Sequence, residues 1–281
     1  MSGAVLLLDG AVGTELTARG LHLPPPAWSA LANRTHPELV RSIHRAYADA
    51  GAQVHTANTF RTRRRSVGPG WRALADLAVE HARAGGHPGQ RVAGAIGPLE
   101  DCYRPDLSPA DTYDEHAELA DHLAARGVDL LLVETHPHPG EALAAVRAAV
   151  ATTLPVWLAL TPGPDGSLMG PQALAEAARR AVDLGVVAAL VNCVRADLAL
   201  VYVEALAASS LGVRFGVYAN AGPADLGVGW GAVDGPSAYV AHARRWVDAG
   251  ARIVGGCCGT SPDHVRALAA AFPVEDPARS S

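Results

Sequence analysis

Short apolar runs alternate along this chain with longer segments in which apolar residues recur at helical spacing. The short runs predict buried strands, and the longer segments predict amphipathic helices. The predicted strands occupy residues 5–8, 52–58, 91–96, 128–134, 155–161, 186–193, 214–220 and 251–256. The predicted helices occupy residues 37–50, 71–85, 110–126, 139–151, 171–184, 196–208, 236–249 and 262–271.

Eight strands that are each followed by a helix predict one architecture above others. A doubly wound sheet gives the same alternation, but a count of eight favours a (β/α)8 TIM barrel in a single domain. We expect the barrel to span residues 1–272 and a C-terminal tail to occupy residues 273–281. Two long connections, 10–36 and 221–235, should lie over the carboxyl ends of the strands, where barrel enzymes bind their substrates.

Composition and charge exclude several classes of function. The chain has 281 residues, of which 49% are hydrophobic, so it can bury a core without disulfides or a structural metal. Its 23 basic residues are all arginine, which excludes a Schiff-base lysine mechanism. A formal net charge of −5 argues against a nucleic-acid partner. The sequence has no apolar run of membrane-spanning length and no leader-like N-terminus, so we expect a cytoplasmic protein without a membrane partner.

Polar and sulfur-bearing residues end most of the predicted strands. Because the carboxyl ends of barrel strands meet at one face, these side chains should gather there. The residues in question are Asp9, Asn58, Glu134, Asn192, Cys193, Asn220, Cys257 and Cys258.

Three of the four cysteines lie at the ends of strands six and eight, which suggests a metal site. Zinc binds thiolates tetrahedrally, and a catalytic zinc keeps one position open, so Cys193, Cys257 and Cys258 would supply three ligands. The alternatives are that each cysteine is a small buried apolar residue, or that Cys257 and Cys258 form a strained disulfide. Cys102 has no partner motif, and we interpret it as a bystander.

Adjacent cysteines on a regular strand would point to opposite faces of the sheet. For Cys257 and Cys258 to reach one ion, the backbone must turn sharply between them. The neighbouring glycines at positions 255, 256 and 259 should allow the necessary dihedral angles.

The same residues carry a resemblance to a known family. The chain resembles the zinc-dependent homocysteine S-methyltransferases, barrel enzymes that make methionine. The "GGCCG" element with a distant "NC" is the most specific part of the resemblance. The matching stretches are "LLDGAVGTEL" (7–16), "AWSA" (27–30), "HPELVRSIHRAYADAGAQVHTANTF" (36–60), "GAIGP" (94–98), "VDLLLVET" (128–135), "VNC" (191–193), "VYANAG" (217–222) and "GARIVGGCCGTSPDHVRAL" (250–268).

The resemblance implies a zinc-dependent thiol S-methyltransferase that converts homocysteine to methionine. Cys193, Cys257 and Cys258 would be both the zinc ligands and the catalytic residues, and the sulfur of homocysteine would take the open position. Asp9 and Glu134 match the family's acidic positions that hold the substrate's amino group.

Further substrate contacts are expected around these positions. Main-chain groups at Gly10 and Ala11 would serve the substrate carboxylate, and Trp28 matches an aromatic position near the methyl donor in relatives. The strand-end amides are also expected to contribute to substrate binding; they are Asn58, Asn192 and Asn220.

The chain departs from the resembled family on the donor side. Relatives usually have Pro-Asn where this chain has Ala219-Asn220, and the segments after "ANTF" and "IGP" are shorter. Because no cobalamin- or folate-binding domain follows the barrel, we expect a sulfonium donor, either S-methylmethionine or S-adenosylmethionine. The alternatives are methyl transfer from a separate corrinoid protein, and methylation of another thiol or selenol such as selenocysteine.

An interpretation from another class is an inactive structural zinc protein or a regulatory binding protein. A closed structural site would need a fourth protein ligand, for which His136 is a candidate. The arginine run at residues 61–66 predicts a solvated loop, and the histidines are not expected to be metal ligands because they lack helical ligand spacing. The sequence does not define the oligomeric state.

Overall fold

The computed structural model describes residues 3–222 and 234–275. Within these residues the chain alternates strands and helices, as the apolar pattern predicts. The strands are β1 (Leu6–Leu7), β2 (Val54–Ala57), β3 (Arg91–Ile96), β4 (Leu130–His136), β5 (Val156–Leu160), β6 (Ala188–Arg195), β7 (Arg214–Asn220) and β8 (Ile253–Gly256). The helices are α1 (Val12–Ala18), α2 (Ala32–Thr35), α3 (Pro37–Asp49), α4 (Arg64–Val67), α5 (Trp71–Gly85), α6 (Tyr113–Ala125), α7 (Pro139–Val150), α8 (Pro171–Asp183), α9 (Leu200–Ala208), α10 (Pro236–Asp248) and α11 (Pro262–Ala271).

The eight strands form one parallel sheet that closes on itself. Neighbouring strands pair in sequence order from β2 to β8, and β8 pairs with β1. A parallel bridge between Leu8 and Val54 joins the end of β1 to β2 and completes the ring. This arrangement confirms the (β/α)8 barrel.

The core has two layers because successive strand residues face opposite sides of the sheet. One set fills the barrel and includes Leu8, Val54, Leu132 and Ile253. The other set packs the sheet against the surrounding helices, as Leu131 does in β4. Since both faces are covered, the strands are almost continuously apolar, which is typical of parallel sheets.

Most of the predicted element ends lie within two residues of the observed ends, and β3, β7, α5 and α11 match their predicted bounds. The connection 10–36 is more structured than predicted, because it contains α1, a 3-10 turn at Trp28–Leu31 and α2. Of the second long connection, 221–235, residues 223–233 lie outside the described residues.

The start of the predicted tail lies against the barrel. The amide of Val5 donates to the carbonyl of Pro273 at 2.9 Å, and the amide of Glu275 donates to the carbonyl of Val5 at 2.9 Å. The domain boundary at residues 272 and 273 stays a prediction. None of the helices in the described ranges is long and apolar enough to span a membrane.

The arginine run is solvated only in part, because Arg64 and Arg65 are exposed whereas the other two arginines of the run are buried. Arg61 and Arg63 are only 6% and 4% exposed. Arg63 donates to the carbonyls of Gly97 and Pro98 at 2.9 and 2.7 Å, and Arg61 donates to the carbonyl of Glu100 at 2.7 Å. The two arginines therefore bind the loop that follows β3, whose carbonyl groups accept hydrogen bonds from the terminal guanidinium nitrogens.

Candidate functional site

The three predicted zinc ligands come together at the carboxyl end of the barrel. Cys193 lies within β6 near its carboxyl end, and Cys257 and Cys258 directly follow β8. The Sγ atoms of Cys193 and Cys257 are 2.6 Å apart, and all three Sγ atoms lie within 4.8 Å of one another. All three cysteines are free thiols. The structure therefore gathers three sulfur donors at one point.

The glycines around the cysteine pair act differently from the prediction. Only Gly259 has a positive φ, of 79°, whereas Gly255 and Gly256 do not. A Cβ on Gly255 would meet the Cβ of Leu8 at 2.5 Å, and a Cβ on Gly256 would overlap the side chain of Thr260. Close packing, and not dihedral freedom, is why these two positions require glycine.

The donor set fits a soft divalent ion. The pKa of the Cys193 thiol is raised well above its usual value. The larger cause is the hydrogen bond between Cys193 and Cys257, and burial adds to it. A thiophilic cation that replaces the protons reverses this preference, because the thiolate is the ligand form. Over the described ranges, no histidine or carboxylate joins the group of three thiols.

His136, the candidate fourth ligand, points elsewhere. Its Nε2 lies 3.1 Å from the carbonyl oxygen of Ile96, and its ring packs at 5.5 Å from that of His116. Three protein ligands with room for a fourth are typical of a catalytic metal site. The closed structural site is therefore the poorer interpretation.

A cavity of about 1030 Å³ opens beside the thiols at the carboxyl end of the barrel. Its wall includes the three cysteines together with most of the residues expected to bind substrate. Those residues are Asp9, Gly10, Ala11, Trp28, Asn58 and Glu134.

Asp9 is fixed from the neighbouring strand. Its two carboxylate oxygens accept hydrogen bonds from the amide and the hydroxyl of Thr56, at 2.8 and 3.0 Å. Asp9 is 3% exposed, and burial raises its pKa to about 8 although the Thr56 bonds oppose the shift. A cationic group placed next to Asp9 would restore the carboxylate.

Glu134 has a matching environment at the end of β4. The hydroxyl of Tyr218 donates to its Oε2 at 2.9 Å. Burial raises the pKa of Glu134 to about 7, against the effect of the Tyr218 bond. Two buried carboxyl groups with raised pKa values in one cavity indicate a site for a cationic group.

Strained backbone occurs next to the three thiols. Thr135 and Cys193 adopt left-handed φ values of 59° and 52°, which non-glycine residues rarely do. Each lies where its strand shifts register against the next strand. The side-chain amide of Asn192 donates to the hydroxyl of Thr135 at 2.7 Å and so joins the two bulges. Strain of this kind concentrates at functional sites.

The strand-end amides differ in their relation to the cavity. Asn192 is fully buried and is absent from the cavity wall. Its side-chain amide instead bonds to Thr135, which does line the wall. Both amide hydrogens of Asn58 are engaged, with the carbonyl of Ser29 and the side chain of Asn33, each at 2.9 Å. Asn58 therefore anchors the segment that carries Trp28. Asn220 is also fully buried, and it does not line the cavity within the described chain.

Trp28 lines the cavity and has a φ of 44°. Its ring stacks on Phe60 at a centroid distance of 6.1 Å. The guanidinium carbon of Arg61 lies 4.8 Å from the Trp28 ring centre. Arg61 therefore packs against the aromatic part of the cavity wall.

Gly10 and Ala11 line the cavity between Asp9 and α1. A Cβ on Gly10 would meet the hydroxyl oxygen of Tyr47 at 2.6 Å, so only glycine fits there. The Tyr47 hydroxyl donates to the carbonyl of Ala11 at 3.2 Å. This contact holds the backbone that follows β1.

Two residues of the cavity wall do not follow from the sequence motifs. Tyr103 lines the wall, and so does Cys102, which is therefore closer to the site than a bystander would be. Burial, followed by the nearby Cys193 thiol, raises the pKa of Tyr103 well above its usual value. The signal in the sequence is the position of both residues after β3, at the carboxyl end of a barrel strand.

The charge of the cavity wall is one-sided. Within the described residues the wall contains the carboxyl groups of Asp9, Glu15 and Glu134, and neither lysine nor arginine. Such a wall favours cationic ligands and disfavours polyanionic ones.

Comparisons with known proteins agree with this geometry. The family model described as homocysteine S-methyltransferase matches residues 6–272. Homocysteine S-methyltransferase of Escherichia coli strain K12 is 31% identical over 300 residues, covering 95% of this chain and 94% of that protein. Selenocysteine methyltransferase of Astragalus bisulcatus is 26% identical over 317 residues, covering 95% and 92%.

A solved structure extends the likeness to three dimensions. The metallated form of the homocysteine methyltransferase MmuM from Escherichia coli matches with a TM-score of 0.77 and 27% identity, covering 95% of this chain and 96% of that chain. The family model spans nearly the whole chain, and the fold and the gathered thiols agree with it. The chain belongs to the homocysteine S-methyltransferase family.

Proposed function

We propose that this protein is a zinc-dependent enzyme that transfers a methyl group from a sulfonium compound to homocysteine and so makes methionine. The observation that carries the proposal is the set of three free thiols that share one cavity with two buried carboxyl groups. The fold alone would not specify this chemistry, since barrels support many reactions.

Cys193, Cys257 and Cys258 would hold the zinc. Three thiolates with an open position are a catalytic donor set, and zinc is the ion that suits soft ligands without redox chemistry. When bound, zinc lowers the pKa of a thiol that coordinates it, and it thereby supplies the thiolate that a methyl transfer needs.

Asp9 and Glu134 would bind the ammonium group of homocysteine. Both carboxyl groups line the cavity that contains the thiols, and both have raised pKa values because they are buried. An ammonium group brings a compensating charge, which favours the carboxylate form of each residue. Thr56 and Tyr218 keep the two acceptors in place through the hydrogen bonds described above.

The cavity charge favours a cationic methyl donor. A sulfonium ion is attracted by a wall that contains three carboxyl groups and no described lysine or arginine. Trp28 and Phe60 offer aromatic faces, which attract cations. A folate donor would bring several negative charges into this wall and is therefore the poorer candidate.

The reaction is a single displacement that the residues orient. The homocysteine sulfur forms a new bond to the methyl carbon while the donor's bond from sulfur to that carbon breaks. The electron pair leaves with the donor sulfur, which becomes a neutral thioether, and the thiol proton of homocysteine is released to solvent. Holding sulfur and methyl carbon in line supplies much of the rate enhancement in such a step.

The test combines metal analysis with turnover. Freshly reduced protein is assayed for zinc, and methionine formation from homocysteine is then measured with S-methylmethionine, S-adenosylmethionine and a quaternary ammonium donor. One zinc per chain with turnover from a sulfonium donor supports the proposal. Protein without zinc, with its thiols reduced, would overturn it.

Two alternatives have distinct outcomes in the same assay. Zinc without turnover from any free donor would favour methyl transfer from a corrinoid protein. Faster methylation of selenocysteine than of homocysteine would shift the acceptor toward the selenol, which the similarity to selenocysteine methyltransferase makes worth testing. Because the three thiols must stay reduced to bind an ion, we also propose that the protein works in a reducing compartment such as the cytoplasm.

A further inference from the structure

A second group of metal-ligating side chains is buried beside the substrate cavity. Asp9 follows β1, His44 lies on α3 and His55 lies on β2. One ligand atom from each residue lies within 4.8 Å of the other two. Both histidines have no exposed surface, and Asp9 has almost none.

The histidine nitrogens of this group lack partners. Both ring nitrogens of His44 and the Nδ1 of His55 are buried and make no hydrogen bond. Leaving a buried polar atom unpaired is energetically unfavourable. Each neutral imidazole has one nitrogen with a free lone pair, so the two histidines can offer one lone pair each beside the carboxyl group of Asp9.

The tautomer of His55 agrees with metal binding. Its Nε2 lies 2.9 Å from Oε1 of Gln90, and the Gln90 amide nitrogen donates to the carbonyl of Ala52 at 2.6 Å. With the amide held in this orientation, Nε2 of His55 carries the proton and Nδ1 presents its lone pair to the group. A metal-binding histidine typically donates its other nitrogen to an acceptor in this way.

His44 is also in the form that binds metals. Burial, and after it the neighbouring His55, lowers the pKa of His44 to about 3. The ring is therefore neutral at physiological pH, which a metal ligand requires.

A surface cavity lies beside one member of the group, His55. A surface cavity of about 290 Å³ is lined by His55, His87, Gln90 and Arg83, among others. At its mouth, the Nε2 of His87 lies 2.8 Å from the carboxylate of Asp49. Arg83 is paired with Asp129 at 2.6 Å, which offsets its charge.

We propose that Asp9, His44 and His55 form a second binding site, for a divalent transition-metal ion. Two imidazoles and one carboxylate suit ions such as Co²⁺, Ni²⁺, Fe²⁺ or Zn²⁺, and not Mg²⁺ or Ca²⁺, which prefer oxygen ligands. Thr56 orients the carboxylate of Asp9, and Gln90 orients the imidazole of His55.

The second site shares Asp9 with the substrate cavity. The proposed function assigns Asp9 to the ammonium group of homocysteine. If that assignment holds, an ion at the second site competes with substrate for the same carboxylate. Excess metal would then act as an inhibitor that raises the KM for homocysteine.

The test is a cobalt titration of the full, metal-stripped chain. Bound Co²⁺ is counted after gel filtration, and absorbance separates the two sites, since only thiolate ligands give sulfur-to-cobalt charge-transfer bands. We expect two Co²⁺ per chain in the unaltered protein, the second without charge-transfer absorbance. His55→Gln should bind one and keep the charge-transfer bands, whereas the exposed control His22→Gln should bind two.

A single Co²⁺ in the unaltered protein, or two in folded His55→Gln, would overturn the inference. If His55→Gln does not fold, proton NMR of the unaltered protein replaces it. The second equivalent of Co²⁺ should then shift imidazole N–H resonances, and the lack of such shifts would overturn the site. Protein that binds two ions but makes no methionine would support the second site and contradict the proposed function. Protein that binds one ion and makes methionine would support the proposed function and contradict the second site.

Discussion

The hydroxyl of Tyr218, near the end of β7, donates to Oε2 of Glu134, near the end of β4, at 2.9 Å in the interior of the barrel mouth. The two strands are three positions apart in the ring, so the bond reaches across the cavity. Because this bond stabilises the carboxylate of a buried glutamate, it connects the shape of the site to its charge.

Tyr218→Phe should therefore weaken homocysteine binding. Loss of the hydroxyl removes a hydrogen bond to a charged group, worth about 1.5–3 kcal/mol, so the KM for homocysteine should rise about tenfold or more. Steady-state kinetics checks the change in KM, and metal analysis should still find zinc. An unchanged KM would mean that Glu134 does not bind the substrate in its charged form.

Cys258→Ala should abolish zinc binding and turnover together. Removing one of three thiolates leaves too few ligands for a stable catalytic site. Metal analysis and a methionine assay check both effects, and circular dichroism should show an intact barrel. Cys102→Ala is the matched control, since Cys102 lines the same cavity outside the group of three thiols, and it should keep its zinc.

Asp9→Asn should stabilise the metal-free protein at pH 8 but not at pH 4. Burial raises the pKa of Asp9 from 3.8 to about 8, so between these values the folded protein holds a proton that the unfolded chain has released. The free energy of unfolding of the unaltered protein therefore falls as the pH rises through this range, by a few kcal/mol. Asparagine does not titrate, so the variant lacks this loss.

Thermal unfolding at the two pH values measures the effect of Asp9→Asn. The Tm of the variant should exceed that of the unaltered protein at pH 8, and the difference should shrink toward pH 4. A difference that is equal at both values would show that Asp9 is ionised in the folded protein. The same variant should lose affinity for homocysteine, because the carboxylate assigned to its ammonium group is gone.

Arg63→Met should destabilise the fold far more than an arginine change on the adjoining surface. Arg63 donates to the carbonyls of Phe60, Gly97 and Pro98, and the variant leaves these buried acceptors without their donor. The expected cost is about 3–5 kcal/mol, measured by urea denaturation. Arg64→Met is the control, because Arg64 is exposed and its ion pair with Glu118 is long, at 3.6 Å. The loss of unfolding free energy in this variant should stay within about 0.5 kcal/mol.

The barrel and its cysteine site follow from local patterns that the sequence displays directly. Apolar runs are short where strands form, and residues that end strands meet at one face whatever the details of packing. The strand pattern therefore predicts that Cys193, Cys257 and Cys258 lie at the same face of the barrel.

Other features depend on tertiary contacts that a one-dimensional pattern does not contain. Carbonyl groups of the loop after β3 accept hydrogen bonds from the buried Arg61 and Arg63, and the sequence does not show which arginines of the run these would be. His44 and His55 lie on different elements, and no spacing rule relates a position on α3 to one on β2. Likewise, Gly255 makes room for Leu8, which is distant in the sequence.

The thiols are carried by β6 and by the turn after β8, two parts of a ring that closes through its own hydrogen bonds and apolar layers. In small zinc domains the ion organises the chain, and its loss unfolds them. Here the closed ring and its apolar layers do not depend on the proposed zinc. Removal of the proposed zinc would accordingly leave a folded chain that can take up metal again.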